Sequence, residues 1–138
     1  MRTAILAVGL LLVATPAFAA DPVEGEWVTS SSGSKVHIGP CPNNAQQMCG
    51  VVSWLPAANA KDLDKKNPDP ALRNRPILGV STVLGFKQSA PGKWTGGKLY
   101  DPESGKTYNG KITANPNGTL KVEGCVLMVC QAQTWKRG

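Results

Sequence analysis

His37 is the one histidine of the chain, set between Val36 and Ile38 in an alternating run. Alternation turns it away from the face those two share, toward solvent. A histidine-assisted nucleophile needs a partner within reach. The chain carries no G-x-S-x-G run and no cysteine expected to stay reduced. Asp62, Asp64, Asn67 and Asp69 crowd one polar stretch, without EF-hand spacing and with Lys61, Lys65 and Lys66 among them. They read as turn-forming, solvated carboxylates rather than a calcium site. Asp69, Asp101 and Glu103 are the candidates for the paired acids of a hydrolase, yet each lies beside a proline in a turn motif. Arg73 and Arg75 flank Asn74. Their forks suit a carboxylate or phosphate on a ligand, and equally a tether to Asp69 or Asp101. No arrangement implies a metal or a cofactor.

Cys41, Cys49, Cys125 and Cys130 allow three pairings. Cys41 and Cys49 bracket the turn-forming Pro42-Asn43-Asn44 between strand-like residues, so a hairpin brings them face to face. Cys125 and Cys130 are five apart, and pairing requires a tight turn over Val126 to Val129. Local geometry thus favours 41–49 and 125–130. Zinc would want pairs at C-x₂₋₄-C spacing, which only Cys125 and Cys130 meet, and a redox C-x-x-C is absent. The cysteines are expected to be structural bridges, each worth less than the ~3 kcal/mol of a 15-residue loop.

The elements that must position these groups are strands. No segment after residue 20 keeps helical periodicity for ten residues. Period-two alternation recurs over 23–29, 35–38, 49–55, 77–87, 93–100, 106–114, 119–125 and 130–136. Turn signals such as Asp101-Pro102-Glu103-Ser104-Gly105 and Asn115-Pro116-Asn117-Gly118 separate them. Eight strands joined by hairpins predict an all-β, antiparallel, up-and-down barrel, which leaves no sheet edge open. Its inward set is Trp27, Val36, Ile38, Val52, Trp54, Leu78, Val80, Leu84, Phe86, Trp94, Tyr100, Tyr108, Ile112, Leu120 and Val122. Gly96, Gly110 and Gly124 on the same faces could leave space near one mouth. One long polar stretch, residues 56–76, breaks the pattern. Inside it Asp69-Pro70 followed by residues 71–75 predicts an N-cap, a proline at the first helical position and one helical turn.

At the amino end, Arg2, an apolar run over residues 4–14 and Ala17-Phe18-Ala19 form a secretory leader pattern. The expectation is a cleaved signal peptide over residues 1–19 and one barrel domain over 20–138, periplasmic or secreted. The apolar run is too short to span a bilayer. Lys and Arg number 15 against 9 Asp and Glu, a net charge of +6, with the lysines scattered. That suits a solvated surface, or attraction to an anionic envelope polymer. Nucleic acid is not an expected partner, since no nucleic-acid module is present. A monomer without a membrane span is expected.

Gly25-Glu26-Trp27 and Trp135-Lys136-Arg137 resemble the two ends of lipocalins and other calycin barrels. The resemblance implies that Gly25, Trp27, Trp135 and Arg137 close one barrel end, with Arg137 across the Trp27 ring. Such a contact is worth up to about 2 kcal/mol when desolvated. A wider resemblance covers nearly the whole chain after residue 20. Val36-His37-Ile38, Cys49-Gly50-Val51-Val52, Asn67-Pro68-Asp69-Pro70, Leu72-Arg73, Arg75-Pro76-Ile77 and Trp94-Thr95-Gly96-Gly97 contribute to it. So do Tyr100-Asp101-Pro102, Gly105-Lys106-Thr107-Tyr108 and Gly124-Cys125. On these the chain resembles the small exported Gram-negative bacterial proteins called domain of unknown function 2147. The resemblance implies a lipocalin-like barrel and names no reaction or ligand.

The functional expectation is a non-enzymatic binding module. A small ligand or polymer end would sit at a mouth roofed by residues 56–76. Trp54, Trp94, Tyr100 and Tyr108 would supply apolar contact, and Arg73 and Arg75 charge recognition. The alternatives are an envelope or cell-wall interaction protein acting through its basic exterior, and a hydrolase using Asp69, Asp101 or Glu103.

Overall fold

The computed structural model describes residues 9–13 and 20–138. The leader's charged start and its cleavage site lie outside the described residues. Eight antiparallel strands follow in chain order: β1 (Gly25–Val28), β2 (Lys35–Cys41), β3 (Asn44–Trp54), β4 (Ser81–Ala90), β5 (Lys93–Asp101), β6 (Lys106–Ala114), β7 (Leu120–Val126) and β8 (Val129–Arg137). Each pairs with the next, and β1 pairs with β8 through Trp27 opposite Arg137 and Val28 opposite Lys136. The result is the closed up-and-down barrel that alternation demands. Two short 3-10 turns, Ala57–Asn59 and Pro70–Leu72, lie in the long β3–β4 connection.

Both bridges take the locally favoured pairing, Cys41–Cys49 and Cys125–Cys130. Cys41 pairs with Asn44, so the β2–β3 turn is only Pro42 and Asn43 and β3 starts earlier than its apolar residues suggest. Cys125 lies directly opposite Cys130, and Leu127 adopts a positive φ of 54° in the turn that permits it.

The core occupies the barrel's lower half, around Trp27, Ile38, Phe86, Ile112 and Leu120. Arg137 closes this end. Its guanidinium carbon lies 3.8 Å from the centre of the Trp27 ring, and its nitrogens donate to the carbonyls of Glu24 (2.6 Å) and Pro22 (3.1 Å). A Cβ on Gly25 would stand 2.6 Å from Arg137 Nη1, so glycine there leaves the guanidinium its place. Phe86 imposes the same condition inside. Its ring fills the space where side chains on Gly97 and Gly110 would project. The room expected at Gly110 is therefore occupied, and Gly96 faces outward on an exposed bulge.

Three expected inward residues face solvent. Lys35 pairs with Trp54 but Val36 pairs with Val52, so β3 carries one extra residue at Ser53. The bulge turns Trp54 outward, where the Lys35 ammonium lies 5.5 Å from its ring centre. In β4, Val83 and Phe86 both point inward although three apart, and the bulge between them exposes Leu84. Leu78 precedes the strand. Gly79 and Val80 bond back to Val52 and Ile77, which leaves Leu78 exposed in the connection.

Replacing Gly97 or Gly110 with alanine should lower stability by about 1–3 kcal/mol, the usual cost of overpacking. The urea midpoint should fall with an unchanged slope. Arg137→Ala should cost about 1–2 kcal/mol by the same measurement, and Arg137→Lys should recover only part of it, since lysine lacks the fork.

Candidate functional site

At one end of the barrel the turns after β1, β3 and β5, together with β8, surround a cavity of about 400 Å³. Val36, Val52, Val122 and Trp135 are its most buried lining. Tyr100, Tyr108 and Leu99 rise along the β5–β6 side, and Gln131 and Gln133 along β8. Gly124 leaves its place on that wall to the Tyr108 ring, 3.4 Å from where a Cβ would stand. Hydroxyls form one lip: Thr29 Oγ1 is 3.0 Å from Ser34 Oγ, which is 2.8 Å from Ser32 Oγ. Leu55, Pro56, Asn59, Asp62 and Ile77 of the long connection form another.

That connection is pinned by a single buried carboxylate. Asp64 is 0% exposed. It accepts hydrogen bonds from Tyr100 Oη (2.5 Å), Arg75 Nε (2.9 Å) and Asn67 Nδ2 (3.0 Å). Burial pushes its pKa up, but these three bonds and the Arg75 charge outweigh burial and hold it below 3.8. The same contact holds Tyr100 in its neutral form. Burial, then the bond to Asp64, raises the phenol to about 12. Backbone bonds join the two arms: Asp64 N–H donates to Arg75 O at 2.9 Å and Ile77 N–H to Asp62 O at 2.9 Å. Between them Asp69 caps the Pro70–Leu72 turn by accepting from Ala71 N at 3.0 Å. The cap at Asp69 and the proline at the first helical position are as expected, but the turn is 3-10 and ends at Leu72, short of residue 75. Gly105 packs so closely on the Lys66 carbonyl that no side chain would fit there.

Of the six residues expected to contact ligand, the structure brings Tyr100 and Tyr108 to the cavity. Trp54 is outside the barrel, for the bulge already described. Trp94 is buried near the opposite end, where its Nε1 donates to Asp21 Oδ1 at 3.1 Å. Arg75 is held by Asp64, and Arg73 Nε donates to Asn67 O at 2.8 Å. Both arginines tether the connection, to Asp64 and a carbonyl rather than to Asp69 or Asp101. Asp64 is likewise not the solvated acid its lysine-rich surroundings suggest. Of the proposed hydrolytic acids, Asp69 is spent on its cap. Asp101 accepts from Glu103 N (3.0 Å) and Ser104 Oγ (2.7 Å). Asp101 and Glu103 reach the cavity's rim. His37 lies outside, 3.8 Å from Glu26.

Sequence reasoning missed Thr82, Gln131, Gln133 and Trp135 as lining. The period-two positions 131, 133 and 135 of β8 carried that signal. Thr82 had none, because it lies in the irregular start of β4. It also missed Val126 to Val129, which stand exposed at the tip of the β7–β8 hairpin. Leu127 and Met128 border a groove on the outer wall beside Gly96 and Lys111.

A closed eight-stranded barrel with one roofed mouth and one end shut by an Arg–Trp contact defines a lipocalin-like protein. It is similar to protein HP1028 from the human pathogen Helicobacter pylori, described as belonging to the lipocalin family. The two are 25% identical, covering 84% of this chain and 82% of that one, with a TM-score of 0.74. The chain belongs to the family described as "Uncharacterized protein conserved in bacteria (DUF2147)", whose model matches residues 25–137. No curated protein matches it. Among the described residues no helix is long and apolar enough to cross a membrane. The paired cysteines are consistent with an extracytoplasmic location.

The Asp64 network predicts two opposite pH effects. The folded carboxyl is depressed below 3.8, so its stabilisation is complete above that value and lost as pH falls through the folded pKa. Tyr100 is raised, so its contribution is complete below 10.0 and lost as pH rises toward about 12. Urea unfolding across pH should show Asp64→Asn flattening the acid limb and Tyr100→Phe the alkaline limb, each variant losing about 1–3 kcal/mol near neutrality.

Proposed function

We propose that this protein is a non-enzymatic binding module that holds a small molecule, or the end of an envelope polymer, in the roofed cavity. The observation that carries this reading is the half-filled lumen. Packed residues fill the Trp27 end, whereas about 400 Å³ remains at the other, within the range of small-molecule sites. The lining supports it, with apolar valines and Trp135 inside and hydroxyls and amides at the lip. The lipocalin-like fold favours binding over catalysis, and the two proposed hydrolytic acids at the rim, Asp101 and Glu103, share one turn. Export to the periplasm, with removal of residues 1–19, fits the leader pattern and the two bridges.

A second reading has one observation of its own. Val126 to Val129 present a run of exposed apolar side chains on a chain of net charge +6. That combination favours adhesion to an anionic envelope polymer. Salt-sensitive retention on purified cell-wall material, weakened by Leu127→Ser with Met128→Ser, is its expected outcome.

For the first reading, the neutral fluorescent probe N-phenyl-1-naphthylamine should bind with one-to-one stoichiometry. Gln131→Trp, on the inner face, should weaken it at least about tenfold, or about 1.4 kcal/mol. Thr134→Trp, three residues on and facing outward, should leave it unchanged. Equal binding by both variants, or none by the parent protein, contradicts the cavity as a binding site.

A further inference from the structure

We infer that the cavity selects amphiphilic organic cations, bearing an ammonium group at the rim and a hydrogen-bonding group along the body. The inference rests on the cavity being the binding site and adds the class of molecule it takes. Two independent observations carry it. Among the described residues, the charged ones lining the cavity are Asp62, Asp101 and Glu103, with no lysine or arginine. This is a reversal in a chain whose bases outnumber its acids 15 to 9. Charged walls of one sign around a low-dielectric opening concentrate counter-ions of the opposite sign.

The second observation is Thr82. Its residue is 7% exposed, it lines the cavity, and its Oγ1 has no hydrogen-bond partner among the described residues. A buried hydroxyl without a partner costs free energy. Oγ1 is itself covered, so the Thr82 side chain turns about its Cα–Cβ bond to meet a ligand hydroxyl or carbonyl, which then removes that cost; a plain alkyl chain would keep it.

The bases nearest in sequence are accounted for elsewhere. Arg75 pairs with Asp64, Arg73 bonds to the Asn67 carbonyl, and Lys61, Lys65 and Lys66 are exposed outside the lining, as is Lys106, which stands opposite Asp101 in the β5–β6 pairing. Asn59 Nδ2 donates to Asp62 Oδ2 at 2.9 Å, which holds that carboxylate in the rim. The aromatic faces of Tyr108 and Trp135 suit a cation that has shed part of its water.

Competition against N-phenyl-1-naphthylamine tests this with three molecules that share one tail: octylamine, octanol and octanoate. Octylamine should displace the probe at least about tenfold more effectively than octanoate, with octanol between them. The double variant Asp62→Asn, Glu103→Gln should erase the preference, so that octylamine and octanoate displace the probe equally. In a graded series of straight-chain amino alcohols, one length should bind better than the alkylamine of equal length, and Thr82→Val should abolish that gain. Equal displacement by octylamine and octanoate, or a preference that survives the double variant, overturns the cation selectivity while leaving the cavity reading intact. No gain from any amino alcohol overturns the role given to Thr82. Failure of the probe itself to bind removes both readings.

Discussion

A negative charge taken fully out of water must be met by hydrogen bonds or neutralised, and Asp64 is met by three. This constraint fixes the functional half of the molecule. Tyr100 belongs to β5 and so to the barrel wall, whereas Arg75 and Asn67 belong to the connection. One carboxylate therefore joins roof to wall. Without it, the two arms of the connection would be held to the barrel mainly by backbone bonds at their ends and the contact beneath Gly105. The cavity is as well defined as this junction.

The other end shows a different solution. There Phe86 fills the space of two absent side chains, Trp27 lies beneath Arg137, and Asp21 gathers Gln88, Gly92 and Trp94. Packing makes that end a closed base, and a buried carboxylate paired with the half-buried Arg75 makes the opposite end a covered opening. Both bridges clamp hairpins, one at each end, and neither joins the connection to the wall.

The barrel was legible because alternation and turn residues are local properties. Lys106–Ala114 and Lys93–Asp101 coincide with their sequence patterns almost residue for residue. Trp54 and Leu84 were misplaced because a bulge adds one residue, and with a period of two that single residue reverses every face beyond it. Nothing in composition distinguishes Ser53 as the extra residue, whereas Gly85, at a φ of 64°, is the kind of strand-interior glycine that marks a bulge. The candidate site was legible at Tyr108, on the regular strand β6, whereas Tyr100 reaches it from beyond the Gly96 bulge of β5. It was illegible where it depends on long-range pairing. Asp64 meets Tyr100 across 36 positions of sequence, and its lysine neighbours suggested a solvated acid. Arg73 and Arg75 carried a fork pattern that fits a ligand and a carboxylate of the chain equally well, and only the fold chooses between them.

The account stands or falls on the junction creating the cavity. The most direct measurement is the affinity of Asp64→Ala for N-phenyl-1-naphthylamine, read beside amide hydrogen exchange. The account predicts faster exchange in residues 56–76, unchanged protection of the barrel strands, and probe binding weakened at least about tenfold. Full affinity in a variant whose connection exchanges freely would contradict it.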